Sequence, residues 1–218
     1  ILALDFSSPQ RSVAVLAGAS APGVEVVDSS PGRDMKPFAL IEAALHQAGL
    51  EREAIECLAI GIGPGSYTGI RVALALAQGW QLASGVKLLG VSSVAVVAAQ
   101  AVALGVSGRY NVVVDAQRGE LYLAGYEAGS GALQETAPLQ IATATVAAER
   151  ATCGELLIGP EVTRWFPEGR TVFPQALTLA RLARSRTDFV PAEKLEPIYL
   201  RETTFVKAPP ARPLPFTL

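Results

Sequence analysis

Residues 55–84 constrain the fold more than any other stretch. A strand-length run at 55–62, IECLAIGI, passes through the turn GPGSYTG at 63–69 into a helix-length run at 68–84. That second run is apolar almost all the way round, with Ile70, Val72, Ala73, Leu74, Ala75, Leu76 and Ala77 in succession around Arg71. A short apolar run bounded by turn residues reads as a buried parallel strand. A helix with apolar residues on every side has to be covered on more than one of them. The next apolar run, KLLGV at 87–91, supplies a second strand, so the segment is a βαβ unit inside an α/β fold.

Upstream, 1–6 (ILALDF), 12–16 (SVAVL) and 24–27 (VEVV) read as three strands separated by Ser/Pro/Gly turns. A helix is expected over 34–48, capped by Asp34 and ended by Gly49, with Phe38, Ile41, Leu45 and Ala48 on one face. The order is βββαβαβ. It starts again in the second half, with strands at 110–115 (YNVVVD) and 120–126 (ELYLAGY). Asp115 lies 110 positions after Asp5, close to half of the 218 residues, and both aspartates end an apolar strand before a turn. This suggests a duplicated plan, although two strands alone leave coincidence open. The expected divisions are an N-terminal lobe at 1–107 and a less regular C-terminal lobe at 108–206. In the latter a strand is expected at 156–158 and an amphipathic helix at 176–185. A proline-rich tail, 207–218, cannot continue a helix or donate to a ladder and is expected to be extended or disordered.

A formal net charge of -2 and a pI of about 5.5 leave no clustered basic surface for gripping a polyphosphate, so a nucleic-acid role would need a partner. The only cysteines, Cys57 and Cys153, have no metal or disulfide spacing and suit a reduced, intracellular protein. The apolar stretch 72–106 is broken by Gln78, Gln81, Ser84, Lys87, Ser92, Ser93 and Gln100, so no membrane helix is expected. The chain opens directly on a strand-like run with no basic-then-apolar leader, and a cytoplasmic protein is expected.

The glycine segment fits no familiar phosphate loop. Its glycines miss the Gly-x-Gly-x-x-Gly frame, and Gly69 is followed by Ile70 and Arg71 where a P-loop needs Lys then Ser or Thr. Ser66 as a nucleophile lacks a base, since His46 is the only histidine. The structural reading is that Gly65 permits the turn while Ser66 and Thr68 cap the helix. An anion on the free N–H groups of Ser66, Thr68 and Gly69, beside Arg71, is the functional alternative. For the helix itself, Ala73, Ala77 and Gly79 would let another helix come close, and Trp80 is an anchor of the kind enriched at interfaces. Burial within the chain remains the alternative.

LALDFSSPQRSVAV (2–15), GIGPGSYTGIRVALALAQG (61–79), VVVDAQRGELYLAGY (112–126) and PIYLRE (197–202) together resemble the TsaB (YeaZ) family of bacterial tRNA threonylcarbamoyladenosine biosynthesis proteins. The resemblance implies a two-lobe α/β fold of the actin/Hsp70/sugar-kinase (ASKHA) type. It implies a non-catalytic scaffold that binds a TsaD-like paralogue, which carries the metal and the transfer chemistry, with a TsaE-like ATPase joining them. It further implies contact through the helices at 34–48 and 68–84, with the paralogue or with a second copy in a homodimer. The candidate contact residues are Phe38, Ile41, Leu45, Val72, Ala73, Leu76, Ala77 and Trp80. tRNA is met only through the complex, and no membrane, metal ligand or catalytic residue is implied. No cofactor is expected, with ATP or ADP and magnesium confined to the complex interface; Asp5, Ser66, Thr68, Gly69, Arg71 and Asp115 are the candidate anion or nucleotide contacts.

Some residues depart from working relatives of that fold. The turn after Asp5, Phe6-Ser7-Ser8-Pro9-Gln10, has no glycine to wrap a phosphate, and the first helix lacks the paired histidines of TsaD-like paralogues. Met35 and Lys36 also stand where relatives carry more polar residues. An ATP-dependent kinase or ATPase resting on Asp5 and Asp115 is the competing reading, with a peptidase behind it.

Overall fold

The computed structural model describes residues 1–18, 22–30, 35–129 and 132–201. The first lobe contains β1 (Leu2–Asp5), β2 (Arg11–Val15), β3 (Val24–Asp28), α1 (Pro37–Ala48), β4 (Cys57–Gly61), α2 (Tyr67–Ser84) and β5 (Lys87–Val91), after which α3 (Ser93–Ala103) leads to the second. The strand order is β3-β2-β1-β4-β5, antiparallel among β1, β2 and β3, and parallel from β1 through β4 to β5. The second lobe has β6 (Gly108–Asp115), β7 (Glu120–Gly129), β8 (Ala132–Thr143), α4 (Ala144–Thr152), β9 (Leu156–Gly159), β10 (Arg170–Thr171) and α5 (Ala176–Ala183). Its order, β10-β9-β6-β7-β8, is the first read from the other edge. The repeat suggested by the two aspartates is therefore a repeat of topology, with Asp5 and Asp115 closing equivalent strands. The second copy is abbreviated, because a 3-10 turn at Val162–Arg164 stands where α2 stands in the first.

Alternation along β1 sorts the first sheet into two unlike faces. Leu2, Leu4, Val13, Val15, Leu58 and Ile60 face α1 and α2, joined by Ile41, Leu45, Ile70, Ala73, Leu74 and Ala77. Ala3, Ala14 and Ala59 face the other way, and their small side chains let α5 settle on the sheet through Ala176, Leu179, Ala180 and Ala183. The helix that covers this face thus comes from the far end of the chain. In return α3 packs on the second sheet, with Val94, Val97, Ala98 and Ala101 against Tyr110, Val112, Tyr126 and Ile158. A boundary at 107/108 separates the two sheets but assigns each of these helices to the lobe it does not cover. The helix over 93–103 is absent from the sequence reading because it is apolar almost all round and mostly buried, with no polar face to set a period.

Several helix ends differ from expectation. The first helix starts at Pro37, not at 34; Asp34 lies outside the described residues, and Lys36 occupies the cap position with no side-chain bond. Proline disfavours helical geometry in the residue before it, which is why Lys36 sits at φ -114, ψ 64. Gly49, at φ 64, ends the helix as expected. The 176–185 helix ends at Ala183, and the proline-rich tail lies outside the described residues. Among the described residues no helix is long and apolar enough to cross a membrane.

After α5 the chain returns to the first lobe. Val190 N–H donates to Leu88 O, Leu195 is buried in the first core, and Ile198 N–H donates to Ile62 O. From α2, Gln78 donates to Ala192 O and Gln81 accepts from Ala192 N–H. Arg201 then reaches the second lobe, donating to Ala116 O and to the Glu120 carboxylate.

Candidate functional site

The glycine segment is shaped by the β1–β2 turn. A Cβ on Gly65 would lie 2.1 Å from Ser7 O, and one on Gly69 would lie 1.9 Å from Phe6 O. Only glycine lets the start of α2 press this close to that turn. Ser66 N–H donates to Ser7 O at 2.7 Å, and Ser66 Oγ accepts from Gly69 N–H at 3.3 Å. Ser66 is thus the cap; Thr68, expected to share that role, is already inside the first turn. The N–H groups of Ser66 and Gly69, where an anion was considered, have partners in the chain. Arg71 donates to Tyr199 OH at 3.1 Å, and its guanidinium lies 4.1 Å from the centre of the Tyr67 ring.

Asp5 is fully buried. Its carboxylate accepts from Ser7 N–H (2.9 Å), Ser7 Oγ (2.6 Å) and Ser93 Oγ (2.9 Å), tying the β1–β2 turn to the start of α3. Loss of hydration raises its pKa above the ordinary carboxylate value, an effect those three donors oppose. Asp115 is half-buried and accepts from Gln117 N–H at 2.7 Å. Both aspartates therefore bind the N–H two residues ahead and hold a hairpin turn. In the second turn Glu120 N–H donates to Gln117 O, and the two residues between them, Arg118 and Gly119, both have positive φ, 59 and 80, as a type I′ turn requires. Among the described residues no three His, Cys, Asp or Glu side chains gather as metal ligands, and His46 is exposed on α1. Between the lobes lies a cleft of ≈ 570 Å³, whose lining includes Pro64, Tyr67, Asp115, Arg118, Tyr122 and Tyr199.

A second concavity, ≈ 650 Å³, runs between α1 and α2 along Phe38, Glu42, Leu76, Gly79, Trp80 and Ala83. Phe38 is 66% exposed and Leu82 90% exposed. The candidate contact residues divide between two environments. Leu45, Ala73 and Ala77 are buried in the core of their own lobe, and Ile41, also buried there, lies at the floor of the groove. The cause is the sheet's large-residue face, which draws in one side of each helix. Phe38 is exposed, while Val72, Leu76 and Trp80 are half-buried at the outer side. The sequence reading did not include Ala75, Leu82 and Ala83. The signal for two of them was available: Ala75, Gly79 and Ala83 recur every four residues and are all exposed, making a small-residue seam along the outside of α2. A Cβ on Gly79 would meet nothing within 4 Å.

The family description "TsaD: tRNA N6-adenosine threonylcarbamoyltransferase" matches residues 38–189. The protein named tRNA threonylcarbamoyladenosine biosynthesis protein TsaB in Escherichia coli K12 is 34% identical over 88 residues, 40% of this chain and 38% of that one. Its namesake in Haemophilus influenzae is 30% identical over 123 residues, 56% of this chain and 51% of the relative. These matches span about half or less of those relatives' length. Two solved structures match over nearly the whole fold. One, a Pseudomonas aeruginosa protein described as uncharacterized with similarity to peptidase YEAZ, has TM-score 0.78 and 27% identity, covering 92% of this chain and 98% of that chain. The other, described as YeaZ from Pseudomonas aeruginosa, has TM-score 0.76 and 26% identity, covering 91% and 98%. With the repeated sheet order, they place the chain in the two-lobe ASKHA type of fold.

Proposed function

The chain belongs to the TsaB/YeaZ family, within the group that the TsaD description matches, and from that premise we propose that it is a non-catalytic subunit in the synthesis of tRNA threonylcarbamoyladenosine. In this reading it docks a TsaD-like catalytic paralogue on the outer face of α1 and α2 and stabilises the paralogue's transfer-competent state. A TsaE-like ATPase joins the pair, tRNA is met through the complex in the cytoplasm, and a second copy occupies the same face when the paralogue is absent.

The observation that carries the proposal is the α1–α2 groove. Phe38, Leu76, Trp80 and Leu82 leave apolar surface uncovered beside a seam of Ala75, Gly79 and Ala83. A groove floored by small residues and edged by large ones fits a helix laid along it. The Arg52–Glu42 ion pair, 2.8 Å at the rim, adds a polar border of the kind that surrounds an interface core.

Calorimetric titration of the wild-type chain and its Trp80→Asp and Leu76→Asp variants with the TsaD-like paralogue tests this. Loss of a buried aromatic anchor should cost ~2 kcal/mol or more of binding, roughly 30-fold in Kd, without unfolding the chain. Unchanged affinity in both variants would refute it. The competing ATPase reading needs Asp5 to present its carboxylate to magnesium, whereas three protein donors already hold that group in a buried site.

A further inference from the structure

The inter-lobe cleft has walls of a distinct chemistry. Tyr67, Tyr122 and Tyr199 line it together with Pro64 and Pro197, and Asp115 and Arg118 stand among them. Tyr67 and Tyr199 are 60% and 56% exposed. The Tyr199 hydroxyl accepts from Arg71, which leaves its own proton free to donate. Grooves lined by aromatic side chains are a usual receptor for proline-rich peptide. Proline presets an extended left-handed helix, so little entropy is lost on docking, and its exposed carbonyls take the tyrosine protons.

The chain carries such a peptide in its own sequence. Residues 209–215 read PPARPLP, with Pro210 and Pro213 in Pro-x-x-Pro spacing. We propose that the cleft is the docking site of the chain's own proline-rich segment, 207–218. The point of attachment supports this occupant: Arg201, the last described residue, itself lines the cleft and is held there by Ala116 O and Glu120. Seven residues, 202–208, lead from it to Pro209, a reach of up to ~25 Å. A short tether makes the encounter intramolecular, at an effective concentration on the order of millimolar.

The test compares the full-length chain with its Pro210→Gly/Pro213→Gly variant by hydrogen exchange, using a labelled synthetic peptide of residues 207–218 as the probe. The variant should exchange about tenfold faster at the 116–123 hairpin and at 196–200, with β1 and β4 unchanged. The peptide should restore that protection in the variant and bind the wild-type chain far more weakly, because the tethered copy competes. Equal exchange in the two chains would overturn the proposal, as would peptide binding of equal strength to both. Wild-type protection that disappears on dilution would overturn it too, since the segment would then come from a second copy. Affinity for the catalytic paralogue, read on the same samples, reports on the α1–α2 face alone and keeps the two proposals separable.

Discussion

Replacing Gly79 by alanine should make the isolated chain more stable, and replacing it by leucine should make the docked complex weaker. Gly79 lies inside α2, exposed, with no atom within 4 Å of where its Cβ would be. Glycine in a helix interior costs about 0.5–1 kcal/mol relative to alanine, and for a chain of this size each kcal/mol moves Tm by about 2–4 °C. Gly79→Ala should therefore raise Tm by about 1–4 °C. In the proposed complex the same position would be the closest approach of a helix whose axis runs ~8–10 Å away. Gly79→Leu inserts four carbons there, and overfilling a packed contact costs about 1–3 kcal/mol, a 5- to 150-fold rise in Kd. Thermal melts of the isolated chain and calorimetric titration with the paralogue read the two effects separately. A lower Tm for Gly79→Ala would mean that the outer face of α2 is not open. An unchanged Kd for Gly79→Leu would mean that the seam is not where the partner sits.

Three further outcomes follow from the glycine segment and the aspartates. Gly69→Ala, whose Cβ would stand 1.9 Å from Phe6 O, should destabilise the fold by about 2 kcal/mol or more, read as a fall in denaturation midpoint; a midpoint within error of wild type would contradict the close packing. Burial raises the Asp5 pKa above the ordinary 3.8, so across the window between the unfolded and folded values the native state holds a proton that the unfolded state has lost. Stability should fall as pH rises through that window and level off above it, and Asp5→Asn should remove the slope; a wild-type stability that climbs across the same window would contradict the burial account. The isolated chain should release no binding heat with magnesium-ATP, because Asp5 is already engaged by Ser7 and Ser93; a titration curve abolished by Asp5→Asn would restore the ATPase reading.

Where local pattern and tertiary packing agree, the fold was legible in the sequence. The strands before Asp5 and Asp115, the 55–62 run, and Gly49 as a helix stop are set by alternation, apolar length and left-handed geometry, all of which are local. The exchange of α3 and α5 between sheets was not legible. Alanines at 3, 14 and 59 give a strand the same apolar reading as leucines would, yet they determine that a helix from the far end of the chain, Ala176–Ala183, can lie against it. The candidate site was legible in part for a related reason. An all-round apolar helix does not declare which side the sheet will take, so Ala73 and Ala77 looked as available as Leu76 and Trp80. Only the four-residue recurrence of Ala75, Gly79 and Ala83 marks the outer side. Likewise the sequence shows Gly65 as a turn residue, but nothing local shows that the atoms the glycines at 65 and 69 accommodate are the chain's own carbonyls at Ser7 and Phe6.

The most direct test of the docking account is hydrogen exchange across the whole chain, with and without the TsaD-like paralogue. The account predicts that added protection concentrates on the α1 and α2 segments around Phe38, Glu42, Leu76, Trp80 and Leu82, with β8 and α4 unchanged. Protection confined to the second lobe, or none on α2 at saturating paralogue, would contradict it.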